Sequence, residues 1–299
     1  MKLAVFTKNR SNPAYAGARH GADLAARLHG AETRHFVPAT PDDPEQQSQL
    51  IDEALLWRPD AVILSPVHPT KVDPAILRIK AAGLPIVALV SPIKAVPCVS
   101  FVNSDDYSLA VEIARHLFRK MGNQGRILTV SGHKDSATSL ERLRGFNDAA
   151  KEYPGIVLAD TVVGDYVRST AYANTTQWLA DNPASHIDAC LVANDIMALG
   201  VIDAFKEAGR QALIVGVNAI PEAVPALKSG ALLATADFNA MRMAYLAAEV
   251  AVRHLKGEAV PRHIQLPVHI IESHNCQEYD RPYEERSVLT LEQVLAGAV

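Results

Sequence analysis

The sequence predicts an α/β fold of two doubly wound units, each built on its own parallel sheet. Short apolar segments typical of buried strands alternate with longer helical patterns almost throughout the chain. Strand segments begin about 25–30 residues apart, the length of a strand–helix–strand unit with its crossover. Strands such as Ala61-Val62-Ile63-Leu64 are continuously apolar, as a parallel sheet covered on both faces requires.

Strand and helix patterns alternate through the first half of the chain. Pro13 stands in the first turn of the first predicted helix, where its missing N–H removes no helical hydrogen bond. Gly83 follows the third helix, a position that glycine favours. The predicted strands are residues 3–7, 33–37, 61–64, 85–90 and 99–102, and the predicted helices are residues 13–28, 41–57, 69–82 and 107–121.

A tight strand-to-helix turn at residues 189–200 is the clearest local signal in the second half. An apolar strand ends at Ala193, Asn194 stands at the N-cap position, and apolar residues then recur near the helical period. Ligands of open α/β sheets bind at the carboxyl ends of the strands. Asn194 is therefore either a ligand-binding residue or only a helix cap, and this stretch alone leaves both readings open.

The rest of the second half follows the same alternation, and no low-complexity linker separates the two series. The predicted strands are residues 126–130, 157–162, 187–193, 213–217, 232–236 and 263–271, and the predicted helices are residues 139–153, 169–180, 196–209, 221–229 and 241–256. The short join near residues 103–105 predicts that the two units face each other across a cleft. The polar tail, residues 272–299, ends in an amphipathic stretch that is expected to pack along the second unit, with partner docking as the alternative.

Composition excludes several classes of protein. The chain of 299 residues has a net charge of −4, which argues against general nucleic-acid binding. Its three cysteines are widely spaced and its 11 histidines are scattered, so neither a disulfide framework nor a metal site is expected. No apolar run approaches the ~18 residues that span a bilayer. The chain enters its first strand without a secretory signal, so it is either cytoplasmic or a secreted form whose signal has been removed.

Polar and aromatic side chains gather at the predicted strand ends, a set suited to a small polar ligand. An enzyme is the alternative, because His133, Asp135 and Ser136 are the residue types of a catalytic triad. A triad is usually assembled from separate segments, and no nucleophile elbow, Walker loop or zinc-binding helix motif occurs. The simpler interpretation of this loop is a helix start with Thr138 and Glu141 as a capping box. No cofactor is expected.

Six segments across residues 2–271 together resemble the periplasmic sugar-binding proteins of the ribose/galactose type, a cluster shared with the effector domains of lactose-repressor-like regulators. The matching segments are Ser11-Asn12-Pro13-Ala14-Tyr15, Asn103-Ser104-Asp105, Glu141-Arg142-Leu143-Arg144-Gly145-Phe146, Asn194-Asp195-Ile196-Met197-Ala198-Leu199-Gly200, Val215-Gly216-Val217-Asn218 and Gly230-Ala231-Leu232-Leu233-Ala234-Thr235.

The resemblance implies a type I periplasmic binding protein, with two Rossmann-like lobes joined by a hinge of three crossovers. The crossovers would fall near Ser104, Phe238 and Pro267. The N-terminal lobe would comprise residues 1–103 plus 239–266, and the C-terminal lobe residues 104–238 plus 267–299. Such a protein closes on its ligand and performs no catalysis.

The family's ligand positions carry over to six residues of this chain. Asn12, Asp105 and Asn194 would bond hydroxyl groups, whereas Tyr15 and Tyr166 would cover the faces of the ligand. Arg142 either contacts the ligand or is structural. Departures from the family are Val90 and Ser91 for polar or charged groups, Leu140 for arginine, Asn218 for aspartate and Phe238 for glutamine. The predicted ligand-binding residues are Lys8, Asn12, Tyr15, Ser91, Asp105, Arg142, Tyr166, Asn194, Asn218 and Phe238.

The resemblance therefore predicts a periplasmic, monomeric solute-binding protein that delivers a small carbohydrate or polyol to the permease of an ABC transporter and binds no nucleic acid. A ligand-sensing module of the same fold, such as an effector domain or the accessory protein of a sensor kinase, is the alternative. The departures favour a pentose, a polyol or a modified sugar over a fully hydroxylated hexose, since each unpaired buried hydroxyl costs about 1–3 kcal/mol. Lys8 suggests a carboxylate or phosphate on the ligand, although a solvated surface lysine is the favoured interpretation.

Overall fold

A computed structural model of the protein describes residues 1–297. The strands, in chain order, are β1 (Lys2–Phe6), β2 (Glu32–Phe36), β3 (Ala61–Leu64), β4 (Ile86–Leu89), β5 (Ser100–Ser104), β6 (Gln124–Ser131), β7 (Gly155–Val163), β8 (Ala189–Val192), β9 (Leu213–Val217), β10 (Ala234–Ala236), β11 (His263–Leu266) and β12 (Ile270–Ile271).

The helices, in the same order, are α1 (Ala14–Leu28), α2 (Pro44–Trp57), α3 (Asp73–Ala81), α4 (Asp106–Lys120), α5 (Ala137–Lys151), α6 (Arg168–Asp181), α7 (Asp195–Glu207), α8 (Val224–Ser229), α9 (Ala240–Leu255) and α10 (Leu291–Leu295). Short 3₁₀ turns occur at Pro221–Ala223 and Tyr283–Glu285. The predicted helix 221–229 is thus a 3₁₀ turn followed by α8.

The chain divides into two compact units. The first contains Met1–Ser104, Asn239–Pro267 and the tail from Tyr283, and the second contains Asp105–Phe238 and Val268–Pro282. The sequence-based boundaries differ from this division by one residue at the first and third crossings and by the tail. The chain passes between the units a fourth time, after Pro282.

The first unit is a six-stranded sheet in the order β11-β5-β4-β3-β1-β2, with every neighbouring pair parallel. Its central strands are buried along their whole length, as their apolar sequences predict. Helices α1 and α9 approach closely at Gly21, where a Cβ would collide with the carbonyl oxygen of Met241. This close approach explains the small residue in the middle of a helix.

The second unit is a six-stranded sheet in the order β12-β10-β9-β8-β6-β7. All its pairs are parallel except β10 with β12, which is antiparallel. The prediction of one strand over residues 263–271 is wrong, because β11 belongs to the first sheet and β12 to the second. Pro267, which has no N–H to donate to a ladder, ends the segment of the first unit.

The end of the tail packs on the first unit, not on the second as expected. The Tyr283 hydroxyl donates to the carbonyl oxygen of Pro13 at 3.3 Å, and its ring occupies the space where a Cβ of Gly17 would lie. The buried Leu291 donates its amide to Glu249 Oε2 at 2.9 Å. Residues 268–282 do belong to the second unit, where the Tyr279 hydroxyl donates to Asp237 at 2.5 Å.

Two further observations concern residues 1–297 as a whole. None of their helices is both long and apolar enough to cross a membrane. Cys98, Cys190 and Cys276 are free thiols.

Candidate functional site

Lys8 and Ser91 form a buried pair at the carboxyl edge of the first sheet. Lys8 lies two residues after β1, is only 2% exposed, and donates from Nζ to Ser91 Oγ at 2.9 Å. Ser91 lies two residues after β4 and is also buried. The favoured interpretation of Lys8 as a solvated surface lysine is therefore wrong. A lone lysine in a sequence gives no sign that tertiary structure will bury it.

A strained turn holds Ser91 in place. Val90 has a φ of 67°, and the Ser91 amide donates back to the carbonyl oxygen of Leu89 at 2.7 Å. A β-branched residue in the left-handed region is a genuine outlier that persists only where the surrounding structure enforces it. The sequence showed only that Val90 and Ser91 replace polar or charged groups of the family and gave no signal of this turn.

Asn12 and Tyr15 lie at the start of α1, and both are buried. Asn12 Oδ1 accepts from the backbone N–H of Ala14 at 3.1 Å, and the backbone N–H of Asn12 donates to Asn9 Oδ1 at 3.0 Å. Asn9 in turn donates to Asp42 at 3.0 Å. This network fixes the loop between β1 and α1, so Asn12 and Tyr15 are held in defined positions near the end of the strand.

Asn194 is both a helix cap and a candidate ligand residue. Its Oδ1 accepts from the amide of Met197 at 3.0 Å, which confirms the predicted N-cap of α7. The side chain is completely buried, and its Nδ2 has no hydrogen-bond partner within residues 1–297. A buried donor without a partner costs about 1–3 kcal/mol. The amide nitrogen is thus available for an acceptor that a ligand would bring.

Arg142 links the end of β8 to an aromatic ring. It donates to Asp106 Oδ1 at 2.8 Å and to the carbonyl oxygen of Ala193 at 2.5 Å. Its guanidinium lies 4.9 Å from the centre of the Phe238 ring. These contacts support the structural interpretation of Arg142, because Ala193 immediately precedes Asn194. The sequence did not identify Asp106 as the partner that neutralises this buried arginine.

The other predicted residues of the second unit lie at strand ends or helix starts. Tyr166 is buried, with a φ of 59°, and its ring covers Gly132 so closely that a Cβ there would overlap it. Asn218 follows β9 and has a φ of 122°. Its backbone N–H donates to the carbonyl oxygen of Ala236 at 2.8 Å. Asp105 is half-buried and caps α4, where it accepts from the amide of Ser108 at 3.1 Å.

The ten predicted ligand-binding residues divide between the two units. Lys8, Asn12, Tyr15 and Ser91 belong to the first unit and are called the first half-site here; the second half-site comprises the predicted residues of the second unit, Asp105, Arg142, Tyr166, Asn194, Asn218 and Phe238. Leu140 is 50% exposed and belongs to neither group. Ser65 and Ser136 are polar residues at predicted strand ends that lie outside the ten selected, and both are buried with Oγ atoms that have no hydrogen-bond partner in the described chain.

The structure bears on two interpretations of the loop before α5. The predicted capping box of Thr138 and Glu141 is wrong, because α5 begins at Ala137 and Ser136 occupies the N-cap position. His133 Nδ1 accepts from the backbone amide of Asp135 at 3.3 Å. In a catalytic triad that nitrogen donates to the carboxylate, so this geometry does not support the enzyme alternative.

Asp195, next to Asn194, is an interior group of the second unit. It accepts from Thr235 Oγ1 at 2.6 Å and from the amide of Ile220 at 3.1 Å. Burial raises the pKa of its carboxyl to about 6, and the two hydrogen bonds partly oppose that rise. Asp195 therefore ties α7 to β10 and to the loop that follows Asn218.

The fold defines a class of protein. Each of its two α/β units is built on a mainly parallel sheet, and each has buried polar and aromatic side chains at strand ends. Residues 3–259 match the periplasmic binding protein domain family. The match covers most of the chain, and the protein belongs to this family.

Several curated relatives are sugar- or polyol-binding proteins by name. The chain is 26% identical over 220 residues to the xylitol-binding protein of Mycolicibacterium smegmatis, covering 73% of this chain and 63% of the relative. It is 28% identical over 214 residues to the D-apiose import binding protein of Actinobacillus succinogenes, covering 71% and 68%. It is 23% identical over 266 residues to the ribose import binding protein of Bacillus subtilis, covering 89% and 85%.

Solved structures share the fold. An ABC transporter periplasmic solute-binding protein from Actinobacillus succinogenes, with bound D-allose, superposes with a TM-score of 0.86 at 24% identity, covering 93% of this chain and 99% of that one. A solute-binding protein from Mycobacterium smegmatis with bound glycerol gives a TM-score of 0.84 at 24% identity, covering 94% and 97%. These similarities confirm the predicted fold of two parallel-sheet units.

Proposed function

We propose that this protein is a solute-binding protein that captures a small carbohydrate or polyol with its two half-sites and delivers it to an ABC transporter. One observation carries the proposal. Asn194 presents a completely buried amide nitrogen without a partner in the described residues, and it directly follows Ala193, whose carbonyl oxygen accepts from Arg142. A buried hydrogen-bond donor without a partner suits a hydroxylated ligand, because each hydroxyl oxygen can accept its hydrogen bond. The names of the relatives support the same class of ligand.

The composition of the half-sites narrows the ligand. Val90 and Phe238 are buried apolar residues at positions where the family resemblance implies polar groups. A fully hydroxylated hexose would leave some of its hydroxyl groups unpaired against these side chains, at about 1–3 kcal/mol each. We therefore propose a pentose, a polyol or a modified sugar as the ligand.

The protein acts in the periplasm as a monomer, holds its ligand without converting it, and needs neither a cofactor nor nucleic acid. Delivery to a permease is supported by the transporter solute-binding proteins that share its fold.

A thermal-shift screen of pentoses, hexoses, polyols, sugar acids and modified sugars tests this function. A ligand at about 100 times its Kd stabilises a protein by ~2.7 kcal/mol. For a chain of this size, that corresponds to a rise in Tm of roughly 5–10 °C. A clear shift with a carbohydrate or polyol supports the proposal, and a shift only with compounds of another class contradicts it.

Asn194→Ser is the matched variant for this test, because serine still caps a helix but removes the amide nitrogen. We expect the ligand affinity to fall at least tenfold while the free energy of unfolding changes by about 1 kcal/mol or less. Asn147→Ala, at an exposed position on α5, is the control and should bind as the wild type does. Unchanged affinity in Asn194→Ser would remove Asn194 from the site.

A further inference from the structure

We propose that Tyr283, in the tail, is a positioning residue of the first half-site. It holds the start of α1, and with it the predicted ligand-binding residues Asn12 and Tyr15, in the conformation that receives the ligand. This inference rests on the proposed function, because it gives Tyr283 a part in the binding of the carbohydrate or polyol.

Tyr283 contacts the first turns of α1 with both its hydroxyl and its ring. The hydroxyl donates to the carbonyl oxygen of Pro13 at 3.3 Å. A Cβ added to Gly17 would lie only 2.5 Å from Cε1 of the ring, so the ring packs directly against the helix. Pro13 and Gly17 are four residues apart, and residues with this spacing lie on one face of a helix. Tyr283 therefore supports one side of the helix start.

The same segment carries the two predicted ligand residues. Asn12 directly precedes Pro13, and the backbone N–H of Tyr15 donates to the carbonyl oxygen of Asn12 at 3.0 Å. Asn12 Oδ1 accepts from the backbone N–H of Ala14 at 3.1 Å. A shift of the Pro13 carbonyl group would therefore move the backbone of both Asn12 and Tyr15.

The sequence at the start of α1 gives the helix little intrinsic stability. Proline at the N-cap position has no side-chain oxygen for the free N–H groups of the first turn. Gly17 weakens the helix further, since glycine is less favourable than alanine in a helix interior. The network of Asn9 and Asn12 holds the loop before Pro13, and Tyr283 holds the turns that follow it.

The tail around Tyr283 is itself anchored to the first unit. The Arg286 guanidinium lies 4.5 Å from the centre of the Tyr283 ring. Ser287 Oγ accepts from Arg242 of α9 at 3.3 Å, and Glu284 Oε1 lies 3.8 Å from His20 Nδ1 of α1. A side chain can position a neighbouring segment only where its own place is fixed, and these contacts meet that condition.

A positioning role has a kinetic signature. The apparent Kd of a ligand rises as the fraction of protein in the binding-competent conformation falls. Such a loss lowers the apparent association rate constant and leaves the dissociation rate constant unchanged, because the ligand keeps its own contacts once it is bound. Removal of a direct ligand contact instead acts mainly on the dissociation rate constant.

The test is stopped-flow kinetics and calorimetric titration of wild type, Tyr283→Ala, Tyr283→Phe and Tyr153→Ala. The probes are xylitol, D-arabinitol, D-ribose and D-apiose, and the probe that wild type binds most tightly is used for the variants. Tyr153 is a half-buried tyrosine of the second unit whose ring centre lies 5.2 Å from that of Phe118. Tyr153→Ala therefore removes the same side chain outside both half-sites. Thermal unfolding of each variant establishes that it is folded before titration.

We expect Tyr283→Ala to weaken binding by about fivefold or more through a lower association rate constant, with a dissociation rate constant within about twofold of wild type. Tyr283→Phe keeps the ring against Gly17 and should restore binding to within about threefold of wild type. Tyr153→Ala should bind as wild type does, even where its Tm falls. Without any sugar, amide hydrogen exchange in residues 14–20 should be faster in Tyr283→Ala than in wild type.

If Tyr283→Ala does not fold, Gly17→Ala takes its place, because the added Cβ displaces the ring from the helix and the same kinetic loss is expected. Unchanged affinity, a loss carried by the dissociation rate constant, or an equal loss in Tyr153→Ala would overturn the positioning role. In each of these cases wild type still binds its probe, so the proposed function stands. Failure of wild type to bind any of the four probes contradicts the pentose or polyol ligand of the proposed function, and this inference with it.

Discussion

At the scale of single residues, Asp195 shows how burial changes the chemistry of a side chain. It follows Asn194 in the sequence, yet its carboxylate is buried inside the second unit, where it accepts from the Thr235 hydroxyl and from the backbone amide of Ile220. A Cβ on Gly216 would collide with the same carboxylate, so the neighbouring strand has no room for a larger residue. Asn194 and Asp195 thus take different roles: one side chain can serve a ligand and the other stabilises the unit.

The raised pKa of Asp195 makes the stability of the second unit depend on pH. Its carboxyl has a pKa of about 6 in the folded protein, against an ordinary value of 3.8. Between these values the folded state keeps a proton that the unfolded chain has released. The stabilising contribution of this group is therefore complete below about pH 4 and is lost as the pH rises through about 6.

Asp195→Asn removes this titration. We expect the free energy of unfolding of wild type, minus that of the variant, to fall by roughly 2 kcal/mol between pH 4 and pH 7. Urea denaturation of both proteins at several pH values measures this difference. A difference that stays constant or grows with pH would show that Asp195 has no raised pKa.

Residue-scale prediction from the sequence succeeded where local chemistry decides the outcome. Asn194 is an N-cap because the strand-to-helix turn and the following apolar pattern require one, and both are visible in the sequence. Lys8 was interpreted as a surface lysine because lysine side chains are mostly exposed in folded proteins. Only the packing around β1 and β4 buries it. The strained turn at Val90 depends on tertiary structure, and valine is not a residue type that predicts a positive φ.

At the scale of elements, the end of the tail is a stabilising addition to the first unit. Glu249 on α9 is buried and accepts from the amide of Leu291 and from Arg253 at 2.7 Å. Thr290 and Gln293 form a capping box at the start of α10. The sequence showed the apolar stripe of α10 but not its partner, because an amphipathic helix specifies an apolar surface without saying which one.

Leu291→Ala should destabilise the protein. Leu291 is 1% exposed, and truncation of a buried leucine costs about 2–5 kcal/mol through lost burial and the cavity that remains. Leu295→Ala is the matched control on the same helix, because Leu295 is 64% exposed and should change the stability by about 0.5 kcal/mol or less. Chemical denaturation measures both, and equal stability of the two variants would contradict the packing of α10 on α9.

At the scale of the whole molecule, the sequence predicted the architecture better than its connections. The strand spacing and the apolar strands predicted two parallel sheets because these patterns follow from the covering of a sheet on both faces. The division of residues 263–271 between the two sheets was missed, since both halves carry the same kind of strand pattern and only Pro267 separates them. The fourth crossing at Pro282 was also missed, because residues 272–297, the described part of the tail, contain no strand.

The central claim is that the protein binds a carbohydrate or polyol reversibly and leaves it unchanged. Calorimetric titration with the ligand identified by the thermal-shift screen, followed by mass spectrometry of the ligand recovered from the complex, tests both parts. The account predicts saturable binding with one ligand per chain and recovery of the same compound. Conversion of the ligand to another compound, or the absence of saturable binding, would contradict it.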